Sequence, residues 1–417
     1  MDKNLPLPDG RSQQVAEAET GRADLTIVGG AGHVGISLVL AFARAGLHVN
    51  INDRNQAALD MLAAGRLPFM EYGAAPLLAD AIRQKRLAFT SAPGNVSRDA
   101  PVIVTIGTPV DEFLNPVGKV VQECIDELLP HLADGQLLVL RSTLYPGTTD
   151  WIAKYVAQKG RRLKVAFCPE RVVQGFGVKE LAEMPQIISG TTAEAEEEAA
   201  RLFSLIVPEV VRVKPIEAEL SKLFNNAYRY IEFATANQFY MIAKAAGADY
   251  GNILDAMRRN YPRARGMPTA GFSAGPCLLK DTMQLAAFAR NQFSLGHAAM
   301  LMNEGIVLQI VDDLRGRYDL SSMTVGLLGM AFKADIDDTR ASLSYKFRNM
   351  LRAHAGAVLT TDPFVTTDPY LLNFDEVVAK SDVLILCTPH SVYRGADLRG
   401  KPIVDIWRFF ENANTIY

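Results

Sequence analysis

LTIVGGAGHVG, residues 25–35, reads as a buried strand that runs straight into a glycine turn and then a helix. Gly30, Gly32 and Gly35 stand in the G-x-G-x-x-G spacing. In that pattern the first glycine permits the tight turn, the second lets the backbone approach a pyrophosphate, and the third allows close helix-to-strand contact. The helix that follows would present unpaired N–H groups to the phosphates. The next strand, VNIND, closes on Asp53, at the spacing of about 20 residues where a carboxylate accepts from both ribose hydroxyls. The combination predicts a site for NAD in preference to NADP. Arg54, beside Asp53, would meet a 2′-phosphate, stack on adenine or take a solvated surface place.

Outward from this turn, short β-rich runs alternate with helical text, which is the signature of βαβ units and a parallel sheet. GISLVLAFARAG and LHVNINDR come first, and further strands are expected at residues 102–106, 137–140, 164–167 and 186–189. Residues 23–210 therefore form one doubly wound α/β domain, preceded by a loose polar tail over residues 1–22. From Ile216 a stretch without Gly or Pro carries Ile216, Leu220, Leu223, Ala227, Ile231, Ala234 and Met241 at three- or four-residue steps, a long amphipathic helix that ends near Gly247. Residues 262–276 are a Gly/Pro/Ser-rich loop, and residues 280–318 read as helix again. These make a helical connecting domain over residues 211–318. TVGLLGMAF, VLTTDPF, SDVLILCTP and KPIVDIW then restore the alternation, so residues 319–417 read as a second α/β domain.

With 417 residues, 49 % apolar and 21 % charged, the chain can bury several cores, and its net charge of −3 offers no cationic excess for nucleic acid or a membrane surface. Its apolar runs fall short of the roughly 20 residues of a membrane helix. Cys124, Cys168, Cys277 and Cys387 lie far apart, without zinc-type or disulfide spacing. A reducing cytoplasm, no metal and a small-molecule ligand are the expectations.

Cys277, in GFSAGPCLLKDT, stands where a Gly-rich loop meets a helix, and there the positive end of the helix dipole would lower its thiol pKa. Lys280 and Asp281 would share its helix face, supplying positive charge and a proton acceptor. The other three cysteines sit in apolar text and read as small buried residues. On the long helix, Lys222, Asn226 and Arg229 form an i, i+4, i+7 stripe, either a solvated face or, if turned toward Cys277, a set of donors for an oxyanion or an attacking water.

Taken together, these motifs resemble the UDP-glucose/GDP-mannose dehydrogenase family from about Leu25 to the C-terminus. GGAGHVG with Asp53 is similar to its cofactor turn, RSTLYPGTT to its Ser-Thr motif, CPER to its Pro-Glu motif and ELSKLFNNAYR to its Lys and Asn helix. GPCLLKD is similar to its nucleophile loop and GMAFKADIDDTRAS to its nucleotide-binding segment. The resemblance implies two Rossmann-like doubly wound parallel-sheet domains joined by a helical domain, with the long helix as a homodimer interface. It implies that Cys277 attacks a C6 aldehyde and carries a thiohemiacetal and then a thioester. Lys222 and Asn226 would hold the oxyanion, Asp281 would move the proton, and Glu170 with Thr143 would position water. The cofactor site would also take in His33, Val34, Arg54, Thr108, Thr143 and Lys280. The substrate site would add Glu170, Arg171, Arg229, Lys333 and Arg340, with Arg263 reaching into the neighbouring subunit.

Where the family usually has paired glycines before the cysteine, this chain has Ala274, Gly275 and Pro276. CPERV and the Tyr228-Arg229 pair resemble the branch acting on UDP-N-acetylhexosamines more than the UDP-glucose branch. Three readings stand at this point. The first is an NAD-dependent 6-dehydrogenase of a UDP-N-acetylhexosamine, with UDP-glucose as the nearest alternative. The others are a two-electron dehydrogenase or epimerase, and a non-catalytic nucleotide-sensing protein on the same scaffold.

Overall fold

The computed structural model describes residues 23–111, 117–410 and 414–416; the tail expected over residues 1–22 lies outside them. Leu25–Val28 (β1) is buried at every position, as a parallel strand covered on both faces must be. It pairs with Val49–Asn52 (β2) on one side and Val102–Val104 (β4) on the other. Leu87–Thr90 (β3) flanks β2, and Leu137–Leu140 (β5), Lys164–Phe167 (β6), Gln186–Gly190 (β7) and Val210–Arg212 (β8) extend the sheet beyond β4 in the order β3-β2-β1-β4-β5-β6-β7-β8. The six strands from β3 to β6 are parallel, and β7 turns antiparallel to β6. β3 and β8 carry no strong sequence signal, being only half-buried or exposed. β3 is held instead by polar ties across β2. Asn52 Nδ2 donates to Thr90 Oγ1 (3.0 Å) and Ala92 O (2.8 Å), and Thr90 Oγ1 donates to Asn50 Oδ1 (3.2 Å).

The long helix, Pro215–Ala245, starts with Pro at its first turn, where a missing N–H costs nothing, and Glu217 closes the cap by accepting from Lys214 N (2.8 Å). It ends before Gly247, at φ +69°. Against it pack Leu278–Phe288 and Ser294–Arg317, two helices where the sequence suggests one over 280–318. Arg290 and Asn291 adopt left-handed φ of 54° and 60°, and Asn291 N donates to Ala286 O (2.7 Å) while Arg290 N donates to Ala287 O (3.0 Å). That is a Schellman closure made without glycine, so the break leaves little trace in the sequence.

Thr324–Leu328 (β9), Ala357–Thr361 (β10), Val383–Leu386 (β11) and Ile403–Val404 (β12) form a second, wholly parallel sheet in the order β10-β9-β11-β12. It repeats the device of the first. Gly329 leaves β9 with φ +91°, and Asp362 at the end of β10 accepts from Met330 N (2.6 Å) and Ala331 N (2.9 Å). Gly29 leaves β1 with φ +77°, and Asp53 at the end of β2 accepts from Ala31 N (3.1 Å).

Candidate active site

The turn after β1 differs in one respect from the sequence reading. Gly29, not Gly30, takes the left-handed conformation that makes the turn. Gly30 is required by packing, since a Cβ there would lie 2.8 Å from Ile27 O. At Gly35 a Cβ would lie 2.6 Å from Gly30 Cα, the close helix-to-turn approach expected of the third glycine. Gly32 is different in kind. Its added Cβ would meet only Gly29 O, at 3.4 Å, so the protein itself leaves room there, and a ligand lying against the backbone supplies the reason for glycine. Together with the helix His33–Arg44 starting at once, and Asp53 fixed at the turn by Ala31 N and Asn55 N (2.9 Å), these residues fit a dinucleotide. Arg54 Nη2 donates to both carboxylate oxygens of Glu127 (2.5 and 2.6 Å) at the exposed surface, in keeping with the solvated surface place among the readings of its position in sequence.

Cys277 caps the helix Leu278–Phe288 and keeps an exposed face, whereas Cys124, Cys168 and Cys387 are buried. The thiol is raised, not lowered as the helix dipole alone would have it. The crowding of protein around the sulfur and the Asp281 carboxylate push it up, and Lys222, Lys280 and Arg340 pull it down less strongly. Asp281 is fully buried one turn along. Its Oδ2 accepts from Asn226 Nδ2 (2.5 Å), and its Oδ1 has Lys280 Nζ at 3.5 Å but no hydrogen bond. Lys280 Nζ also donates to Thr108 O (3.2 Å), which links the cysteine helix to the loop after β4 in the first domain. Two of the three residues of the long-helix stripe therefore belong to the surroundings of Cys277 and Asp281. Asn226 is buried and Lys222 acts on the thiol, while Arg229 is exposed and acts on Lys333. Gly275 (φ +105°) brings the cysteine loop against the second domain, since a Cβ there would meet the Phe332 ring at 2.6 Å.

Glu170 is buried beside Arg141, whose Nη2 donates to Oε2; Oε1 accepts from Arg171 N (2.7 Å) and Val172 N (2.8 Å). The Arg171 guanidinium donates to Pro185 O. Thr143 lies half-buried in the loop between β5 and the helix Thr148–Gln158. Lys333 donates to Gln174 O (3.3 Å) and sits over the Phe176 ring; burial holds its ammonium below the ordinary range, with Glu180 opposing and Arg229 adding to the effect. Arg340 is gripped by Asp338 through Nε (2.9 and 3.0 Å) and Nη2 (2.6 Å). Arg263 is exposed, stacked over Tyr261. Four residues that sequence reasoning passed over hold these in place: Arg141, Gln174, Asp338 and Glu219. Glu219 ties the long helix to the Ser-Thr loop by accepting from Gly147 N (2.6 Å), Thr149 N (2.8 Å) and Thr149 Oγ1 (2.6 Å). Arg141, Gln174 and Glu219 act across more than 25 residues, and Asp338, though it grips Arg340 two residues on, is itself bonded by Gln174 from the first domain, so local patterns do not announce them.

Three domain models of one family match in chain order: the UDP-glucose/GDP-mannose dehydrogenase family's NAD binding domain over residues 24–207, its central domain over 216–305 and its UDP binding domain over 326–412. The chain belongs to the UDP-glucose/GDP-mannose dehydrogenase family. As a member it is an NAD-dependent nucleotide-sugar dehydrogenase, with the glycine turn in the NAD binding domain and Lys333 and Arg340 in the UDP binding domain. It is 27 % identical over 400 residues to an NDP-N-acetyl-D-galactosaminuronic acid dehydrogenase of Ralstonia nicotianae, covering 90 % of this chain and 94 % of the relative. To the UDP-N-acetyl-D-mannosamine dehydrogenase of Escherichia coli K12 it is 25 % identical over 422 residues, covering 93 % and 99 %. Among solved structures it is similar to a UDP-D-ManNAc dehydrogenase from Pyrococcus horikoshii, with a TM-score of 0.84 and 25 % identity, covering 91 % of this chain and 94 % of that one. No helix among the described residues is long and apolar enough to cross a membrane.

Cofactor choice in this dehydrogenase should rest on Asp53. Its carboxylate would repel a 2′-phosphate, and Arg54 beside it is paired with Glu127. Initial rates should favour NAD over NADP by about a hundredfold or more in kcat/KM, and Asp53→Ala should narrow that gap. Equal use of both cofactors by the unmodified enzyme would refute the assignment.

Proposed function

We propose that this enzyme oxidises the C6 hydroxyl of a UDP-N-acetylhexosamine to the uronic acid with two equivalents of NAD, through a thiohemiacetal and a thioester on Cys277. The observation that carries the reading is Cys277, a residue open to solvent at the start of its helix, whose thiol feels the charges of Lys222, Lys280 and the buried Asp281, itself bonded to Asn226. A two-electron dehydrogenase or an epimerase has no use for that arrangement, and a nucleotide sensor has no need to keep it. The acetamido branch is supported by the names of the relatives and by the CPERV and Tyr228-Arg229 segments.

When bound, NAD supplies the hydride acceptor for each of the two oxidations. Cys277 Sγ adds to the C6 aldehyde left by the first, and Asp281 Oδ1, a buried acceptor without a hydrogen bond, takes the thiol proton. Lys222 and Asn226 stabilise the hemithioacetal oxygen. After the second oxidation the sulfur carries a thioester. Thr143 and Glu170, the latter oriented by Arg141, position the water that adds to its carbonyl. The C–S bond then breaks, the thiol takes back a proton, and the carboxylate leaves. Covalent attachment keeps the aldehyde from escaping between the two oxidations.

Lys333, Arg340, Arg171 and Arg229 form the cationic and donor surface for the diphosphate and the sugar. The active unit is a homodimer through the long helix, on which Phe224, Tyr228 and Ile242 are more than half exposed, with Leu301 and Leu308 exposed on the neighbouring helix. Arg263 reaches the neighbouring site from its exposed loop. The dispersed free cysteines suit a reducing cytoplasm.

The decisive experiment counts NADH per sugar consumed and ranks UDP-N-acetylglucosamine, UDP-N-acetylmannosamine, UDP-N-acetylgalactosamine and UDP-glucose by kcat/KM. Two NADH per sugar and a preference of about a hundredfold for an acetamido sugar are expected. One NADH with free aldehyde accumulating would sink the mechanism, and UDP-glucose ranking first would sink the branch assignment alone.

A further inference from the structure

Between the cofactor turn and the UDP binding domain lies a polar junction around the buried Asp338 that, Arg340 apart, none of the proposed chemistry uses. Asp338 is buried, and its Oδ2 accepts from Gln174 Nε2 at 2.7 Å while its two oxygens grip Arg340. A carboxylate only accepts, so the amide nitrogen of Gln174 must face it. That nitrogen has a second hydrogen, and His33 Nδ1 lies 3.2 Å away to accept it. With Nδ1 accepting, the His33 proton sits on Nε2, which faces Asp338 Oδ2 at 3.8 Å. The ring packs against Phe69, tilted by 38° with centroids 3.8 Å apart, and His33 opens the helix directly after Gly32.

We infer that Gln174 is a positioning residue for Arg340: by donating to both Asp338 and His33 it holds Asp338 where the arginine is presented to the anionic nucleotide-sugar, and fastens that arginine to the cofactor turn. The inference rests on the reading that Arg340 contacts the substrate. The junction demands a neutral His33, because an imidazolium would donate at Nδ1 and lose the amide. Burial and the Arg340 charge bring His33 down to about 4, with Asp338 opposing, so the imidazole stays neutral across the physiological range. Burial would raise the Asp338 carboxyl, yet the bonds from Arg340 and Gln174 bring it below its ordinary value. The other charged groups around the junction have partners of their own: Lys333 on Gln174 O, Asp337 on Met70 N and Glu71 on Val178 N.

Gln174→Glu keeps the shape and reverses the chemistry. Above neutral pH it sets a carboxylate against Asp338 and against the His33 lone pair, so Arg340 loses its fixed partner. As pH falls, His33, now between two carboxylates, has its pKa raised and takes a proton that satisfies both. The probe is UDP-N-acetylglucosamine, whose esterified diphosphate keeps its charge over this range, titrated calorimetrically into the full-length protein between about pH 5.5 and 8.5. Gln174→Glu should bind about tenfold more weakly than the unmodified protein at the alkaline end and recover most of that loss at the acid end. Gln174→Leu should lose affinity at every pH, and adding His33→Asn to Gln174→Glu should remove the recovery. If Gln174→Glu binds normally at the alkaline end, or if the Glu and Leu variants track each other across pH, the positioning role is overturned. Arg340→Ala binding as tightly as the unmodified protein would overturn the substrate role of Arg340 and this inference with it, whereas loss in Arg340→Ala without loss in Gln174→Glu overturns this inference alone.

Discussion

Cys277→Ala is expected to abolish uronate formation, by about 10⁴-fold or more, while NAD still binds. The size of the effect follows from the lack of any substitute among the cysteines. Burial pushes Cys124 to about 11 and Cys168 to about 12, and pushes Cys387 up as well, so none of the three offers a thiolate. The cofactor turn lies on another domain, so NAD affinity, read by fluorescence titration, should be nearly unaffected. Cys277→Ser should give a slower failure. A hydroxyl adds poorly to an aldehyde at neutral pH, and an ester formed there would release the product slowly, so mass spectrometry should find the sugar on the protein. Near-normal turnover in the alanine variant would move the nucleophile elsewhere.

The order of domains is plain in the sequence because it is written in local signals, namely hydrophobic period, glycine spacing and the Pro and Gly that bound the long helix. What escapes is what depends on partners distant in the chain or on a turn made without its usual glycine. β3 looks weak because its support is a polar ladder from Asn50 and Asn52, residues that read as poor strand formers. The helix break at Arg290 and Asn291 is closed by a Schellman motif lacking its usual glycine. At the site, the residue types that do chemistry stand out, whereas their supports do not. Glu219, Gln174 and Asp338 look like ordinary surface residues until the fold sets Glu219 against backbone N–H groups, Gln174 against His33 and Asp338, and Asp338 against a guanidinium. Arg54 shows the converse. Its position beside Asp53 suggests the cofactor, and only the packing of the helix Gly118–Leu128 reveals Glu127 as its partner. The dipole argument at Cys277 fails for a related reason, since position in a helix says nothing about the burial and the neighbouring carboxylate that outweigh it.

Asp281→Asn separates chemistry from thiol acidity, because the two should move in opposite directions. The carboxylate is buried and one of its oxygens is held by Asn226, so an asparagine of the same shape fits the space. It can keep the Asn226 bond through its carbonyl oxygen, which leaves its NH₂ facing the Lys280 ammonium with no proton-accepting oxygen toward Cys277. Turnover should fall by about 10²–10³-fold through loss of the proton acceptor. The thiol responds the other way. In the unmodified enzyme burial and the Asp281 charge raise the Cys277 pKa, so its thiolate fraction is low at neutral pH and rises as the solution is made alkaline. Removing that charge leaves Lys222, Lys280 and Arg340 acting on the sulfur with less opposition, so the pKa drops and the profile of alkylation rate against pH shifts toward acid. Iodoacetamide should therefore label Cys277 several times faster in Asp281→Asn near neutral pH even though the variant is nearly inactive. If alkylation and turnover fall together, the substitution has damaged the loop and not the proton path; if turnover persists, Asp281 is not the acceptor, and the buried oxygen without a hydrogen bond serves only to neutralise the two lysines.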